Sequence, residues 1–432
     1  VLRREAHDRA RDDVIGMFAD LGYTADVHSD PLFDFSIPED KETFDMLSAE
    51  QQAAVKDAPA ETIVVDVPGK SERTMALMAH YDSATDSDGD RARFTTSGDS
   101  YGAADDGYGV ATIVETLRAL KAEGRQPENS LKIVITDAEE IGLIGARNEM
   151  HHHRADYENV DLVLNLEARG MSGPAFMFET SPNNSAVAGY FLSHVKQPVT
   201  GSLLPSLYAR MPNSTDMAKV IPEGFTVLNI AAIGEADHYH HATDAPRYVN
   251  HSTLQHYGDQ VLDLTRAWTF DGQTPTLTAN GDLHFFQLWR GMTVSYPATV
   301  GTGLGCLAII AALGVVVVQA RSLRWKRVLG TVWGLTWRAA SVSAAAGLVQ
   351  LGAMAMKWAP ETGIGPNPLL PWMFAGGALI GAGLTAHFVV RRWKEGLGQE
   401  TLAAVLLLLA AACVPLMVLL PGAAYVLVLP TL

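Results

Sequence analysis

Residues 74–82 read TMALMAHYD, an apolar run that leads directly into His80 and Asp82. A short apolar run that follows turn-forming residues such as Pro68 and Gly69 is typical of a strand buried on both faces. Since ligands gather at the carboxyl ends of strands in parallel α/β sheets, the two polar residues that follow this run are candidates for a functional site. A His-x-Asp pair is also common in solvated loops, so other parts of the chain must decide between these alternatives.

Similar runs recur at Thr62 to Val67, Leu131 to Thr136, Val160 to Leu166 and Phe225 to Ile230. Helical patterns separate most of them, at Gly109 to Glu123, Gly142 to His152, Ser185 to Lys196 and Ser252 to Trp268, and residues 3–22 predict an amphipathic helix that caps the domain. This alternation predicts an α/β fold with a mostly parallel central sheet flanked by helices. Val67 to Ser71 predicts a hairpin turn between the first two strands.

Four more polar motifs follow predicted strands or precede a predicted helix: GAADDG (102–107), TDAEE (136–140), NLEA (165–168) and DHYHHATD (237–244). Each has an ordinary explanation, because an Asp-Asp-Gly string often caps a helix, and acids and histidines in loops are usually solvated. All five motifs, however, lie at or beyond strand ends, as a single metal-binding edge requires. Adjacent carboxylates such as Glu139 and Glu140 can divide metal binding and proton transfer between them.

The donor types favour zinc in a catalytic rather than a structural site, since the polar motifs offer His and carboxylate oxygens. Both cysteines, Cys306 and Cys413, lie in apolar runs and supply no thiolate ligand to this part of the chain. No His-Glu-x-x-His sequence occurs, which excludes the common single-zinc protease design. The tract His151 to His153 predicts a solvated helix end.

In this order the motifs resemble metallopeptidase family 28, which belongs with bacterial two-zinc leucyl aminopeptidases, glutamate carboxypeptidase II and glutaminyl cyclases. The resemblance covers about Thr62 to Asp259. Asn-Leu-Glu-Ala at 165–168 and the segment Phe285 to Pro297 are similar to the membrane-anchored branch of endoplasmic reticulum metallopeptidase and Fxna type. The zinc exopeptidase fold is therefore the one that the resemblance implies.

The resemblance also implies roles for individual residues. His80 and Glu167 would bind one zinc ion, Glu140 and His240 the other, and Asp105 would bridge both. Glu139 would be the general base, and Asp82 would orient His80. Two zinc ions about 3.5 to 4 Å apart would activate water for amide hydrolysis. Asp216 has two open interpretations, a helix N-terminal acid or a residue near the substrate.

The leading hypothesis is a membrane-anchored zinc aminopeptidase that acts on peptide or protein substrates. A glutaminyl cyclase-like acyltransferase, which typically works with one zinc ion, is the alternative within this fold. A non-catalytic binding module is a third possibility, although all five expected ligands are present. Substrate preference, exo versus endo action and oligomeric state stay open.

Charge and hydropathy divide the chain. Of its 32 basic and 48 acidic residues, nine and three respectively lie after Ala320, which leaves 23 basic and 45 acidic residues before that point. This excess of acid disfavours nucleic acid and suits metal cations and substrates with a free amine. Because the chain begins with Val1 and ends in an apolar segment, we expect a fragment of a longer polypeptide.

Four apolar stretches predict membrane spans: Ala298 to Ala320, Val328 to Met356, Leu369 to Val390 and Thr401 to Leu420. Basic residues cluster at 321–327 and 391–394, and the positive-inside rule assigns both clusters to the cytoplasm. The acidic part then lies outside the cytoplasm, extracytoplasmic in a bacterium or lumenal in a eukaryote. The predicted division is a peptidase domain (1–272, core about 62–270), a linker and membrane-surface segment (273–297) and a transmembrane domain in contact with the lipid bilayer (298–432).

Overall fold

The apolar run that ends on His80 forms a strand inside a mixed sheet. A computed structural model describes residues 4–431 apart from 46–48, 85–99, 212–213, 272–275, 290–291 and 358–369. Among the described residues of the first compact unit, Val1–Pro297, seven strands share one sheet: β1 (Asp26–Pro31), β2 (Pro59–Val67), β3 (Ser71–His80), β4 (Asn129–Thr136), β5 (Val160–Ala168), β6 (Ser172–Thr180) and β7 (Val227–Gly234).

Strand order shows where the sequence-based prediction is too simple. The order is β1-β2-β4-β3-β5-β7-β6, in which β4, β3, β5 and β7 are parallel and β1, β2 and β6 run antiparallel to their neighbours. The sheet is therefore mixed rather than mostly parallel. The predicted hairpin at Val67 to Ser71 is wrong, because β4 inserts between the two strands that this turn joins. Strand order depends on long-range pairing, which a local turn signal does not carry.

Helices cover both faces of this sheet. They are α1 (Arg4–Asp20), α2 (Pro38–Asp45), α3 (Ala49–Val55), α4 (Gly107–Ala122), α5 (Ile144–His152), α6 (Ser185–His194), α7 (Leu203–Tyr208), α8 (Met217–Val220) and α9 (His251–Phe270). Along β3, Met75 and Leu77 pack in the cluster that includes residues of α1, α4 and α9, whereas Ala76 and Met78 pack with residues of α5 and α8. This alternation buries both faces of the strand and holds its carboxyl end between two helical layers.

A second, two-stranded sheet follows in the region predicted as a linker. Its strands are β8 (Leu283–Trp289) and β9 (Met292–Pro297). Phe285 is fully buried in the main core, and Ser202 Oγ donates a hydrogen bond to the Phe285 carbonyl at 2.8 Å. Part of this segment is thus built into the first unit. Its position at a membrane surface stays a prediction.

The second compact unit, Ala298–Leu432, is helical. Its helices are α10 (Ala298–Gln319), α11 (Trp325–Lys357), α12 (Leu370–Lys394), α13 (Gly398–Leu419) and α14 (Tyr425–Thr431). Within the described residues, α10 and α13 are long and apolar enough to cross a membrane. Membrane crossing by α11 and α12 stays a prediction, and Leu369, where the third predicted span begins, lies outside the described residues.

Candidate metal centre

The residues predicted as ligands meet at the carboxyl edge of the four parallel strands. His80 is the last residue of β3, Glu140 follows β4, Glu167 is the second-last residue of β5, His240 lies in the loop after β7, and Asp105 precedes α4. Because parallel strands deliver their carboxyl ends to one edge, residues far apart in the sequence become neighbours there. All five are buried or partly buried.

Asp105 lies between the two histidines. Nε2 of His80 is 3.3 Å from Asp105 Oδ1, and Nε2 of His240 is 3.3 Å from Asp105 Oδ2. Each histidine also has a second carboxylate beside it, since Glu167 Oε2 is 3.9 Å from His80 Nε2 and Glu140 Oε2 is 2.9 Å from His240 Nε2. The residues thus form two His-carboxylate pairs that share Asp105.

This donor set fits divalent cations. Nε2 of both histidines and Oε1 of Glu140 are buried and have no hydrogen-bond partner among the described residues. Donor atoms of His80, Asp105 and Glu167 lie within 4.8 Å of one another, and so do donor atoms of His80, Glu139 and Glu140. Buried carboxylates that outnumber nearby imidazoles are costly unless cations compensate their charge.

The pKa shifts in this cluster come from burial and from neighbouring carboxylates. Burial, and then the charge of Asp105, raises the pKa of Glu140 to about 7. Burial opposes the charged form of His240, but Asp105 and Glu140 outweigh it and raise its pKa to about 9. The crowded carboxylates therefore attract positive charge, which protons or metal ions can supply.

Asp82 contacts more than His80. Its carboxylate Oδ1 lies 3.5 Å from Nδ1 of His80, whereas its backbone carbonyl lies only 2.9 Å from the same nitrogen. The carboxylate also accepts hydrogen bonds from the backbone N–H groups of Glu139 (3.0 Å) and Glu140 (3.2 Å). Asp82 thereby holds the loop that carries both glutamates.

The GAADDG loop contains both a helix cap and a candidate metal ligand. Asp106 caps α4 by accepting a hydrogen bond from Gly109 N at 3.0 Å, while Asp105 faces the histidines. Gly102 has φ +62°, and a Cβ on Gly107 would lie 2.7 Å from the Gly102 carbonyl oxygen. The glycines therefore permit the tight turn that separates the roles of the two acids.

Asp216 lies at the N-cap position of α8. Its side chain makes no capping hydrogen bond to α8, and instead Oδ2 accepts a hydrogen bond from Thr136 Oγ1 at 2.6 Å. Burial raises its pKa to about 6. Its position at a helix N-terminus is therefore one that the sequence interpretation allows, and a place near the substrate stays a prediction.

Two supporting residues escaped the sequence-based prediction. Asp244 accepts hydrogen bonds from Ala104 N (2.7 Å) and Asp105 N (3.2 Å), and so fixes the backbone that carries Asp105. Its spacing from His240 was a usable signal, although its contact was not predictable. The hydroxyl of Tyr257 in α9 accepts a hydrogen bond from Glu167 N at 2.7 Å, and a buried tyrosine in an amphipathic helix gives no sign of such a role.

Two residues of the centre have an unusual backbone. Ala138, next to Glu139, has φ 57°, and His240 has φ 54°. Non-glycine residues with positive φ cost of the order of 1–3 kcal/mol and cluster at functional sites. The loops after β4 and β7 are therefore strained where they deliver the predicted base and one histidine.

Comparison with known proteins relates part of the chain to a peptidase family. Residues 62–265 match peptidase family M28. The chain is 28% identical over 209 residues to a vacuolar membrane protease of Lodderomyces elongisporus, covering 48% of this chain and 20% of that protein. It is 22% identical over 225 residues to endoplasmic reticulum metallopeptidase 1 of Mus musculus, covering 51% and 25%. The matched regions thus span about a fifth to a quarter of these relatives.

Solved structures are similar at a lower level. A glutaminyl cyclase of Porphyromonas gingivalis shares 18% identity over 60% of this chain and 89% of its own, with a TM-score of 0.44. The zinc aminopeptidase BSAP of Bacillus subtilis shares 18% identity over 52% and 54%, with a TM-score of 0.39. A likeness at these scores carries no argument about activity. The sequence match alone identifies residues 62–265 as a peptidase family M28 domain, similar to that of proteins named vacuolar membrane protease and endoplasmic reticulum metallopeptidase.

Proposed function

We propose that this chain is a membrane-anchored, two-zinc aminopeptidase that hydrolyses N-terminal peptide bonds outside the cytoplasm. The observation that carries the proposal is the position of Asp105, whose two oxygens face His80 and His240 at 3.3 Å each. A carboxylate whose two oxygens face different imidazoles could contact two metal ions at once, which supports a two-metal site. The membrane proteases among its relatives support the same class of enzyme.

The five proposed ligands form two His–Glu pairs with Asp105 between them. His80 and Glu167 would hold one ion, His240 and Glu140 the other, and Asp105 would contact both. Zinc bound there would polarise the scissile carbonyl and lower the pKa of a water molecule. Asp82 and Asp244 position this set, because their carboxylates hold the backbone of the glutamate loop and of Asp105.

Glu139 is the proposed general base. Its backbone N–H is fixed by Asp82, and burial followed by the charges of Glu167 and Glu140 raises its pKa well above the ordinary glutamate value. A carboxylate with a raised pKa accepts a proton more readily than an ordinary one. Glu139 would take a proton from water and pass it to the leaving amine.

The test of this role is Glu139→Gln in the full chain. Loss of a general base reduces the rate by about 10²–10⁴-fold, so kcat/KM for a peptide with a free N-terminus should fall by that factor while zinc content stays unchanged. Glu115→Gln, on the exposed face of α4, is the matched control and should keep full activity. Comparable activity in the Glu139→Gln protein would remove Glu139 from the mechanism.

Product and metal analysis separates the aminopeptidase from its alternatives. Asp105→Ala should lose two zinc ions relative to the wild-type chain and stop the release of N-terminal residues. A glutaminyl cyclase would be favoured if Asp105→Ala lost only one zinc ion and the wild-type chain formed pyroglutamate from N-terminal glutamine. An intact, zinc-loaded wild-type chain that converts neither type of substrate would favour a binding module.

A further inference from the structure

A second group of metal-binding side chains lies between edge strand β1 and the end of α5. Glu149 and His153 are four residues apart, within α5 and at its C-cap, and His28 and Asp30 are two residues apart on β1. Residues four apart share a helix face, and residues two apart share a strand face. The two pairs therefore meet across the gap between the elements.

The side chains are in direct contact. Nδ1 of His28 lies 2.9 Å and 3.1 Å from the two oxygens of Glu149, and the His28 and His153 rings stack with centroids 3.9 Å apart. Asp30 Oδ2 lies 2.9 Å from Nε2 of His153. Donor atoms of His28, Glu149 and His153 all lie within 4.8 Å of one another.

The burial of Glu149 distinguishes this group from a solvated cluster. Its exposed fraction is 0%, and its oxygens are met by His28 and by the Tyr157 hydroxyl at 2.7 Å. A buried carboxylate needs a compensating positive charge. Two stacked imidazoles repel each other when both are protonated, whereas neutral imidazoles can share one divalent cation with the carboxylate.

The three consecutive histidines of α5 therefore do not behave alike. His151 and His152 are exposed, as the sequence predicts for a solvated helix end. His153 turns back onto β1, where Asp30 fixes its ring. His152 also has a long-range contact, since its Nε2 lies 3.3 Å from Asp34 Oδ2, but the residue stays exposed. The difference depends on the position of β1, so the tract itself gave no signal of it.

We propose that His28, Glu149 and His153 bind one zinc ion that clamps β1 to α5. Two imidazoles with one carboxylate are a known set of zinc ligands, which leaves a fourth position for water. A carboxylate against a ligand histidine fixes its orientation, as Asp30 would here. None of these residues belongs to the candidate metal centre. His28 and Asp30 precede the residues matched to the peptidase family, so the ion would fasten an N-terminal strand to the family domain.

Zinc stoichiometry of the purified full chain tests the proposal. After removal of metal and titration with Zn²⁺ alone, the His28→Asn/His153→Asn protein should bind one ion fewer than the wild type. The matched control is His151→Asn/His152→Asn, which alters the exposed neighbours and should bind as many ions as the wild type. Asp30→Asn should weaken zinc binding at this site by about tenfold, because only the orienting carboxylate is lost.

The expected zinc-dependent rise in Tm gives a second readout. That rise should be smaller in the His28→Asn/His153→Asn protein than in the control. If the double variant does not fold, His153→Asn alone, at a side chain that is 25% exposed, replaces it. Equal zinc content in the wild type and the His28→Asn/His153→Asn protein would overturn the proposal. An equal loss in the His151→Asn/His152→Asn control would also overturn it, since binding would then belong to the exposed tract.

Discussion

The position of Asp105 depends on Asp244, which is not one of the proposed metal ligands. The Asp244 carboxylate accepts hydrogen bonds from the backbone N–H groups of Ala104 and Asp105, and the exposed fraction of this residue is 1%. A buried carboxylate that accepts two backbone hydrogen bonds fixes the position of the peptide units concerned. The His240 loop, which also carries Asp244, therefore supplies both an imidazole and the support for the carboxylate that faces it.

We expect Asp244→Asn to impair the centre without unfolding the protein. The amide group retains one acceptor oxygen but presents N–H donors to a site that needs two acceptors. Loss of such a supporting contact typically costs about 10–100-fold in metal affinity or activity. Zinc affinity and kcat/KM, with Asp237→Asn in the same loop as the control, measure the effect. Equal values for the two variants would show that Asp244 has no positioning role.

The predictability of the site differs from residue to residue. His80 and Glu140 follow apolar runs, so the sequence pattern was enough to predict them at one edge of the sheet. The pattern alone could not assign separate roles to Asp105 and Asp106, because the same string serves a cap and a metal ligand. Tyr257 was beyond prediction, since its contact with Glu167 depends on how α9 packs across the sheet.

At the scale of elements, α1 packs beside the centre although it precedes the residues matched to the family. Nε2 of His7 in α1 lies 2.9 Å from Asp137 Oδ1 and 3.0 Å from the Tyr81 hydroxyl. Burial opposes the charged form of His7, but Asp137 outweighs it and raises the pKa of His7 above 6.5. The contact with Asp137 therefore favours the protonated form of His7 and ties α1 to the loop after β4.

His7→Ala should destabilise the first unit in a pH-dependent way. A raised pKa means that the contribution is complete below the unfolded value of about 6.5 and disappears as the pH rises through the folded value. At pH 6 the loss should be about 1 kcal/mol, or about 2–4 °C in Tm, and it should shrink by pH 8.5. Thermal unfolding at both pH values, with the exposed His251→Ala as control, measures it. A loss that grows between pH 6 and pH 8.5 would contradict the assigned charge.

The strands show why fold prediction succeeded only in part. Runs such as Thr74 to Ala79 are apolar throughout, so the four parallel strands were all recognised. Edge strands β1 and β6 contain polar residues and Gly or Pro, and their sequences gave no strand signal. They pair antiparallel with β2 and β7. Because β2 is itself antiparallel to β4, the sheet is mixed on both sides of its four parallel strands.

In the second unit, one face of α10 is made of small residues. Gly305 and Ala308 are buried, whereas Ile310 and Val318 are 67% and 85% exposed. Small residues let membrane helices approach closely, while exposed apolar side chains suit contact with lipid. The distribution on α10 is therefore consistent with the predicted membrane span, packed on one side.

Ala308→Leu should disturb this packing. Ala308 is fully buried against Cys413 of α13 and Val428 of α14, and extra methyl groups in a packed interface cost about 1–3 kcal/mol. The fraction of full chain that stays monodisperse after heating in detergent should fall. Ile310→Leu, on the exposed face, should leave that fraction unchanged. Equal behaviour of the two variants would argue against the α10–α13 interface.

At the scale of the whole molecule, the basic clusters of the second unit lie at one end of its helices. Arg324 Nε donates a hydrogen bond to Glu400 at 2.6 Å, and Arg392 Nη2 donates one to the Arg327 carbonyl at 3.2 Å. The loop after α10 thus contacts the start of α13, and the end of α12 contacts the start of α11. The positive-inside rule then assigns both basic clusters to the same, cytoplasmic side of the membrane.

This arrangement predicts the side on which the peptidase acts. The first unit precedes α10 and the basic loop follows it, so if α10 crosses the bilayer the two must lie on opposite sides. Single cysteines at Ser36 in the first unit and Ser322 in the loop, in a chain with Cys306→Ala and Cys413→Ala, report their exposure. In bacterial spheroplasts that express the chain, a membrane-impermeant maleimide should label Ser36→Cys directly and Ser322→Cys only after permeabilisation. The reverse pattern would place the candidate metal centre in the cytoplasm. Labelling of both before permeabilisation would show that α10 does not cross the membrane.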